Sequence, residues 1–376
     1  MDVKETREKI VFGTVSYNIY CNFTNYGSAL QTWALNQAIK KSGYHAKLID
    51  YCPDILANKD TLNPFINMWD KDEESRKMCE LSLPAIRSNY IKFDQFYNEQ
   101  FDKTKKKYTS ANFESVTDEV DGFVCGSDTI FCTEEFGFDD GYYGNYECMK
   151  NGYTVAYAAS FGDPNFDEAT YPILNERLGN FKALGIRENL MIPYVCANTK
   201  VPVQRVLDPT LLLLPEEYAG IVGENVREKK YLLLYSRRYN KEMEDYAIDI
   251  AKKNGWEIVE ISLRATNVNK GHVMAYDAGV EEFLSLVKHT QFVVTNSFHG
   301  MIFSVQFRKE FVVFSRHQCD TKIEELLDIF GISDRLLTKG TKLCKEIDYD
   351  EVHSRIEIER KKSLSFLKME LDGIKK

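Results

Sequence analysis

Apolar residues along the chain fall into two patterns: short continuous runs, and longer stretches in which they recur every three or four positions. Continuous runs fit strands buried on both faces, and the second spacing fits helices with one face in a core. Residues 10–17 (IVFGTVSY) read as a first strand, 28–41 as a helix ended by Gly43, and 46–51 as a second strand. Further strand signals lie at 122–125, 154–158, 183–186 and 203–207. Pro209, Pro215 and a polar stretch from 220 to 230 then precede a second series. It comprises strand 231–235, helix 242–253, strand 256–261, helix 281–289 and strands 291–295 and 311–314.

Strands alternating with helices predict an α/β protein with parallel sheets. Two Rossmann-like domains facing a cleft account for both series, with ligands at the carboxyl ends of the strands. We expect an N-terminal domain at 1–218, a C-terminal domain at 219–345, and a last segment, 346–376, as a charged helix packing back on the body. Residues 63–107 are rich in charge and aromatics, helical in period and free of strand signals. They predict a helical insertion in the first domain, at about 60–108.

Composition narrows the function. Lys plus Arg total 48 against 57 Asp plus Glu, a formal charge of −9, which argues against nucleic-acid binding. Any local basic pocket would serve a small anion. The nine cysteines form no C-x-x-C, so neither a zinc ribbon nor a disulfide framework is expected, and no metal-ligand cluster stands out. The charged first residues and the absence of a long apolar window predict a cytoplasmic protein with reduced thiols and at most peripheral membrane contact. Lysines 103–107 read as a solvated helix end, or with the aromatics of 90–101 as a surface for anionic lipid.

Four strand ends carry candidate chemistry. In QFVVTNSFHGMIFSVQ, Asn296 and Ser297 are N-cap types, Gly300 leaves room for a ligand near the backbone, and His299 falls in the first turn. A helix start offers free N–H groups to an anion, and an imidazole beside that anion is placed for general-base work. In CNFTNYGSALQ, Asn25 and Gly27 form a tight turn lacking the G-x-G-x-x-G spacing of a dinucleotide fold. In GFVCGSDTIF, Ser127 and Asp128 follow a strand, where the carboxylate can hold a sugar hydroxyl or cap a helix. Arg187, in ALGIREN, can grip a carboxylate or phosphate with two bonds, or pair with Glu188. Arg237 and Arg238, after YLLLY, form a cationic pair at the equivalent place in the second domain. Cys125 and Cys132 read as packing.

Taken together and in order, NYGSALQTWAL, VCGSDTIF, YAASFG, LGIRENL, VLDPTLLL and VVTNSFHGMIFSVQF resemble the polysaccharide pyruvyl transferase family, a likeness spanning residues 17–314. The resemblance implies a GT-B-like fold and transfer of the pyruvyl group of phosphoenolpyruvate to a sugar as a cyclic ketal, with release of phosphate. It implies no cofactor beyond that donor substrate. The acceptor it implies is a lipid-linked saccharide precursor of a bacterial exopolysaccharide or capsule, met at the inner face of the membrane. His299 matches the family histidine, Arg187 the arginine of S-V-R-[DE], Asn25 and Gly27 the N-x-G turn, and Asp128 the G-S-D stretch. Two departures stand out: Ser297 occupies the place of an arginine, and Thr129-Ile130-Phe131 replaces Q-x-W. A GT-B glycosyltransferase using a nucleotide sugar and a non-catalytic saccharide-binding relative remain the alternatives.

Overall fold

The computed structural model describes residues 9–62, 72–162, 164, 166, 168–316, 320–338 and 346–375. Among these, the strands form two six-stranded sheets in which every pairing is parallel. The first contains β1 (Val11–Val15), β2 (His45–Leu48), β3 (Gly122–Cys125), β4 (Thr154–Ala159), β5 (Leu184–Ile186) and β6 (Val203–Arg205), in the order β2-β1-β3-β4-β5-β6. The second contains β7 (Tyr231–Tyr235), β8 (Glu257–Ile261), β9 (Val273–Met274), β10 (Phe292–Thr295), β11 (Phe311–Phe314) and β12 (Leu336–Leu337), in the order β12-β11-β10-β7-β8-β9. The chain direction across each sheet reverses at β1/β3 and at β7/β10. Such switch points leave a crevice at the strand carboxyl ends. The expected α/β architecture of two Rossmann-like sheets is therefore present.

The strands form because their residues suit burial on both faces. All of β4, β7 and β11 is buried; β11 is entirely valine and phenylalanine, and β7 is three leucines between two tyrosines. The principal helices are α1 (Tyr26–Lys41), α2 (Glu73–Gln100), α3 (Lys241–Asn254), α4 (Val280–His289), α5 (Phe298–Gln306), α6 (Asp320–Phe330) and α7 (Tyr349–Asp372). Asn25 caps α1 by accepting from Gly27 N–H at 3.0 Å, so the helix starts before the expected Ser28. The edge strands β9 and β12 have two residues each, too few to show a period.

The expected helical insertion is one helix, α2; residues 63–71 lie outside the described residues. Residues 101–107 are not helical. The chain there runs beside the first sheet, with bridges Leu48–Lys103 and Tyr51–Tyr108, so the lysines flank an extended segment. Phe93, Phe96, Tyr97 and Phe101 are buried in the core, which removes them from any lipid-facing surface. The inner face of α2 lies against the second half of the molecule. Asn89 Nδ2 donates to the Ala278 carbonyl at 2.5 Å, and Lys92 pairs with Glu282 at 2.6 Å. Beside it, α1 joins the same core: the Tyr26 ring stacks on Phe283 with centroids 4.4 Å apart.

The last helix ties the halves a second time. Its start is held to the second sheet by the Arg308–Asp350 pair at 2.8 Å and by His353 Nε2 against the Val305 carbonyl at 3.0 Å. Its end reaches the first sheet, where Phe366, Leu367 and Leu371 pack with Phe12, Val124 and Val155. No described helix is long and apolar enough to cross a membrane.

One half-buried carboxylate gives a prediction about stability. Asp139 accepts from the Tyr51 hydroxyl at 2.9 Å and from Tyr142 N–H at 2.9 Å, and burial pushes its pKa up to about 6. The unfolded chain releases this proton near the ordinary value of about 3.9, whereas the folded chain holds it to about 6. The folded state therefore binds more protons between those values, and Asp139 lowers stability as pH rises through that window. Asp139→Asn should flatten the fall in melting temperature between pH 4 and pH 7; an unchanged slope would count against the assignment.

Candidate active site

The candidate residues of the first sheet converge at its switch point. Strand β3 runs into Ser127 and Asp128, and Asp128 takes a positive φ of 77°. Its Oδ2 accepts from Ser28 Oγ at 2.5 Å and its Oδ1 from Thr129 N–H at 2.8 Å. The next helix starts at Thr133 with Cys132 at its cap, so Asp128 is not a helix cap. Ser127 is fully buried: its hydroxyl donates to the Ala158 carbonyl at 2.8 Å and its N–H to Gln31 Oε1 at 2.9 Å. That side chain shapes the turn from behind. Cys125 and Cys132 are buried, and burial pushes the Cys132 thiol up to about 11.

A chain of charged groups links the two sheets. Arg187, at the end of β5, donates from Nη1 to Asp208 Oδ2 at 2.8 Å and lies 3.4 Å through Nε from Glu188 Oε1. Asp208 is 1% exposed and also accepts from Thr210 Oγ1 at 2.6 Å. Glu188 accepts from the Ser160 hydroxyl. His299 Nε2, from the second half, lies 3.3 Å from Asp208 Oδ2, within ion-pair reach but without good hydrogen-bond geometry. Burial alone would raise the Asp208 carboxyl, but His299, Arg187 and the Thr210 hydroxyl outweigh it and hold its pKa well below the usual range. Burial works against the Arg187 charge too, and Glu188 and Asp208 more than offset it.

Gly27 packs directly on the imidazole. A Cβ there would stand 2.0 Å from His299 Nδ1, so any side chain must displace the ring. Gly27→Ala is expected to lower turnover at least tenfold with little change in melting temperature, since the displaced group is a side chain at the cleft. Turnover equal to wild type would show that the ring position is not needed.

At the second switch point Asn296, Ser297 and Gly300 have structural roles. Ser297 caps α5, its Oγ accepting from Gly300 N–H at 3.2 Å. Asn296 is fully buried; its Oδ1 accepts from Arg237 N–H at 2.8 Å and its Nδ2 donates to the Arg238 carbonyl at 2.6 Å. It fixes the loop that carries both arginines, and both line a cavity beside the cleft. Gly300 differs from expectation. A Cβ there would lie 2.6 Å from Thr295 Oγ1 and 2.9 Å from Tyr235 Cδ1, so its missing side chain lets α5 pack on the sheet and leaves no room for a ligand.

Asp208 and Glu135 were not singled out in the sequence. Asp208 has the same strand-end position as Asp128, but the following Pro and Thr read as a cap, which it also is. Glu135 is an exposed residue that accepts from Thr129 Oγ1 at 3.2 Å; desolvation by the protein atoms crowding its carboxyl first, and the Asp128 charge second, push that carboxyl up. Nothing in TEEF distinguishes it from a surface glutamate. Among the described residues, no group of His, Cys, Asp or Glu is arranged to hold a metal ion.

Comparisons with known proteins agree with this architecture. A UDP-N-acetylglucosamine 2-epimerase structure has a TM-score of 0.50 at 12% identity, covering 95% of this chain and 91% of its own. A Listeria monocytogenes protein described as the same enzyme also scores 0.50, at 11% identity, covering 96% of this chain and 90% of its own. An ADP-heptose lipopolysaccharide heptosyltransferase II from E. coli scores 0.40 at 10% identity, covering 93% and 99%. At such identities the likeness shows the fold alone, two GT-B-like halves. No curated protein matches the chain. The family model described as polysaccharide pyruvyl transferase matches residues 25–318, a span holding His299, Asp208, Arg187, Asp128 and Gly27, and the chain belongs to that family.

Proposed function

We propose that the protein moves the pyruvyl group of phosphoenolpyruvate onto a saccharide precursor of a polysaccharide, as a cyclic ketal, and releases phosphate. The observation that carries the reading is the His299–Asp208–Arg187 chain, an imidazole backed by a buried carboxylate in a member of this family. A lipid-linked acceptor met at a membrane surface belongs to the same reading.

Ketal formation needs an acid for the donor's methylene carbon, a base for the attacking hydroxyl, and cations for the donor's anionic groups. Glu135, an exposed residue whose carboxyl is raised by local desolvation and by the neighbouring Asp128 charge, gives its proton to that carbon. The acceptor hydroxyl then bonds to the neighbouring carbon while His299 takes its proton. Asp208 orients the ring and stabilises the imidazolium, and Asp128 holds the hydroxyl in place. His299 returns the proton to the leaving phosphate as its C–O bond breaks. A second hydroxyl closes the ketal and restores the proton to Glu135.

Of the two readings of Arg187, a grip on the donor or a pairing with Glu188, the second fits its ion pairs. Asp208 and Glu188 already neutralise it, so it organises the site and leaves the donor to other cations. The N–H groups of Phe298 and His299 open α5 without a partner among the described residues, and Lys322 Nζ lies 5.8 Å from the Phe298 ring centroid. Together they form an anion site at a helix start. A thermal-shift series with phosphoenolpyruvate, phosphate and nucleotide sugars tests the reading, since a ligand at 100 times its Kd adds about 2.7 kcal/mol. The donor should raise the melting temperature, and a shift with nucleotide sugars alone would overturn the proposal. Phosphate release coupled to a new ketal methyl signal by NMR is the confirming result.

A further inference from the structure

We propose that the cavity beneath α2 binds an anionic saccharide, a sugar bearing a phosphate ester or a carboxylate, and thereby selects the acceptor. This rests on the acceptor being a saccharide, as proposed above. The cavity holds about 280 Å³, near the lower limit of small-molecule pockets at roughly 300–1,000 Å³. That is room for one sugar and its substituent.

The charge of the lining is one-sided. Arg237, Arg238 and Arg264 face the cavity, and no aspartate or glutamate is among the described lining residues, in a chain of formal charge −9. Arg264 is already engaged: it stacks on Tyr239 at 3.6 Å and pairs with Glu74 at 2.5 Å. Arg237 is not. Asn296 holds its backbone N–H, but its guanidinium has no hydrogen bond or ion pair with a described residue. Tyrosines 235, 276, 17 and 26 supply its electrostatic surroundings, and none is an ordinary counter-ion. Arg237 is half-buried on the cavity wall, and a phosphate or carboxylate entering the cavity would meet its planar fork with two parallel hydrogen bonds.

The rest of the wall suits a sugar. Tyr26, Tyr235 and Tyr276 line the cavity with aromatic carbon for ring C–H groups, and the hydroxyls of Thr24, Ser236 and Ser262, which donate to Asn89, Arg238 and Glu260, present oxygens that can accept from a sugar. The position is also right for an acceptor. Asn296, which anchors Arg237, is followed by the cap of the helix that bears His299. One wall comes from α2 and the other from the ends of β7 and β8, so a bound sugar touches both halves of the molecule.

Calorimetric titration of the full chain with glucose, galactose and mannose 1-phosphates, the matching hexuronic acids and the uncharged methyl hexosides tests this. At least one charged hexose should bind, and Arg237→Met should weaken it tenfold or more without changing the phosphoenolpyruvate affinity. Binding confined to the phosphates or to the uronates identifies the anionic group. Melting curves of Arg237→Met establish that the variant is folded, and inorganic phosphate should compete in the wild type if the group is a phosphate. The proposal is overturned if no charged hexose binds, if methyl hexosides bind as tightly, or if Arg237→Met binds unchanged. A wild type that binds charged sugar through Arg237 yet forms no ketal sinks the pyruvyl reading and leaves the pocket. Ketal formation with sugar binding indifferent to Arg237 does the reverse.

Discussion

Replacing His299 by alanine is expected to reduce turnover by roughly 10²–10⁴-fold, the contribution of a well-placed acid–base group. The imidazole stands in the first turn of α5 beside the buried carboxylate of Asp208, and no other described histidine shares that position. Two effects compete in the variant. Losing the base removes the route for the acceptor proton, while Asp208 keeps its pairing with Arg187 and its bonds from Thr210. The network should therefore hold, and the melting temperature should move little. A loss in kcat with donor affinity retained is the expected signature, read by phosphate release under saturating donor. Retention of more than a tenth of the turnover would remove His299 from the chemistry.

Arg187→Met is expected to act first on stability. Removing the guanidinium leaves Asp208 and Glu188, 1% and 5% exposed, facing one another without a cation between them. Stripping one partner from a buried ionic group costs about 3–5 kcal/mol, because the remaining charges stay desolvated. At about 2–4 °C per kcal/mol for a domain of this size, the melting temperature should fall by roughly 6–20 °C. Arg187→Lys restores the charge but not the two-pronged geometry that meets both acids, and it should fall between the two. If Arg187→Met melts within a degree of wild type, the network contributes nothing and the residue returns to being a ligand-gripping cation.

Much of this fold is legible because strands such as Tyr231–Tyr235 and Phe311–Phe314 are buried on both faces and so read as unbroken apolar runs. Helix α2 shows the limit. Its period marks an apolar face, but the partner of that face is Ala278 and Glu282, almost two hundred residues away, and spacing carries no such information. At the site, a polar residue after a strand reads as a candidate ligand whether it faces the cleft or the backbone. Ser127, Asn296 and Ser297 spend their side chains on neighbouring main-chain groups, and Asp128 divides its oxygens between Ser28 and the Thr129 N–H. Asp208 went the other way, hidden by a cap motif although its carboxylate lies 3.3 Å from His299 Nε2.

The path of α7 bears on how the protein is made. Phe12, Val124, Val155 and Ala183 lie in strands and turns that leave the ribosome early, yet the cluster that buries them is completed by Phe366, Leu367 and Leu371. Domains usually fold as units in the order of synthesis. Here the first sheet can pair its strands as they emerge, but one greasy face stays open until residues 366–371, nearly two hundred positions after Ala183, have been made. The early half of the chain is thus a client for whatever shields nascent apolar surface in the cell, and its closing step is the docking of the last helix.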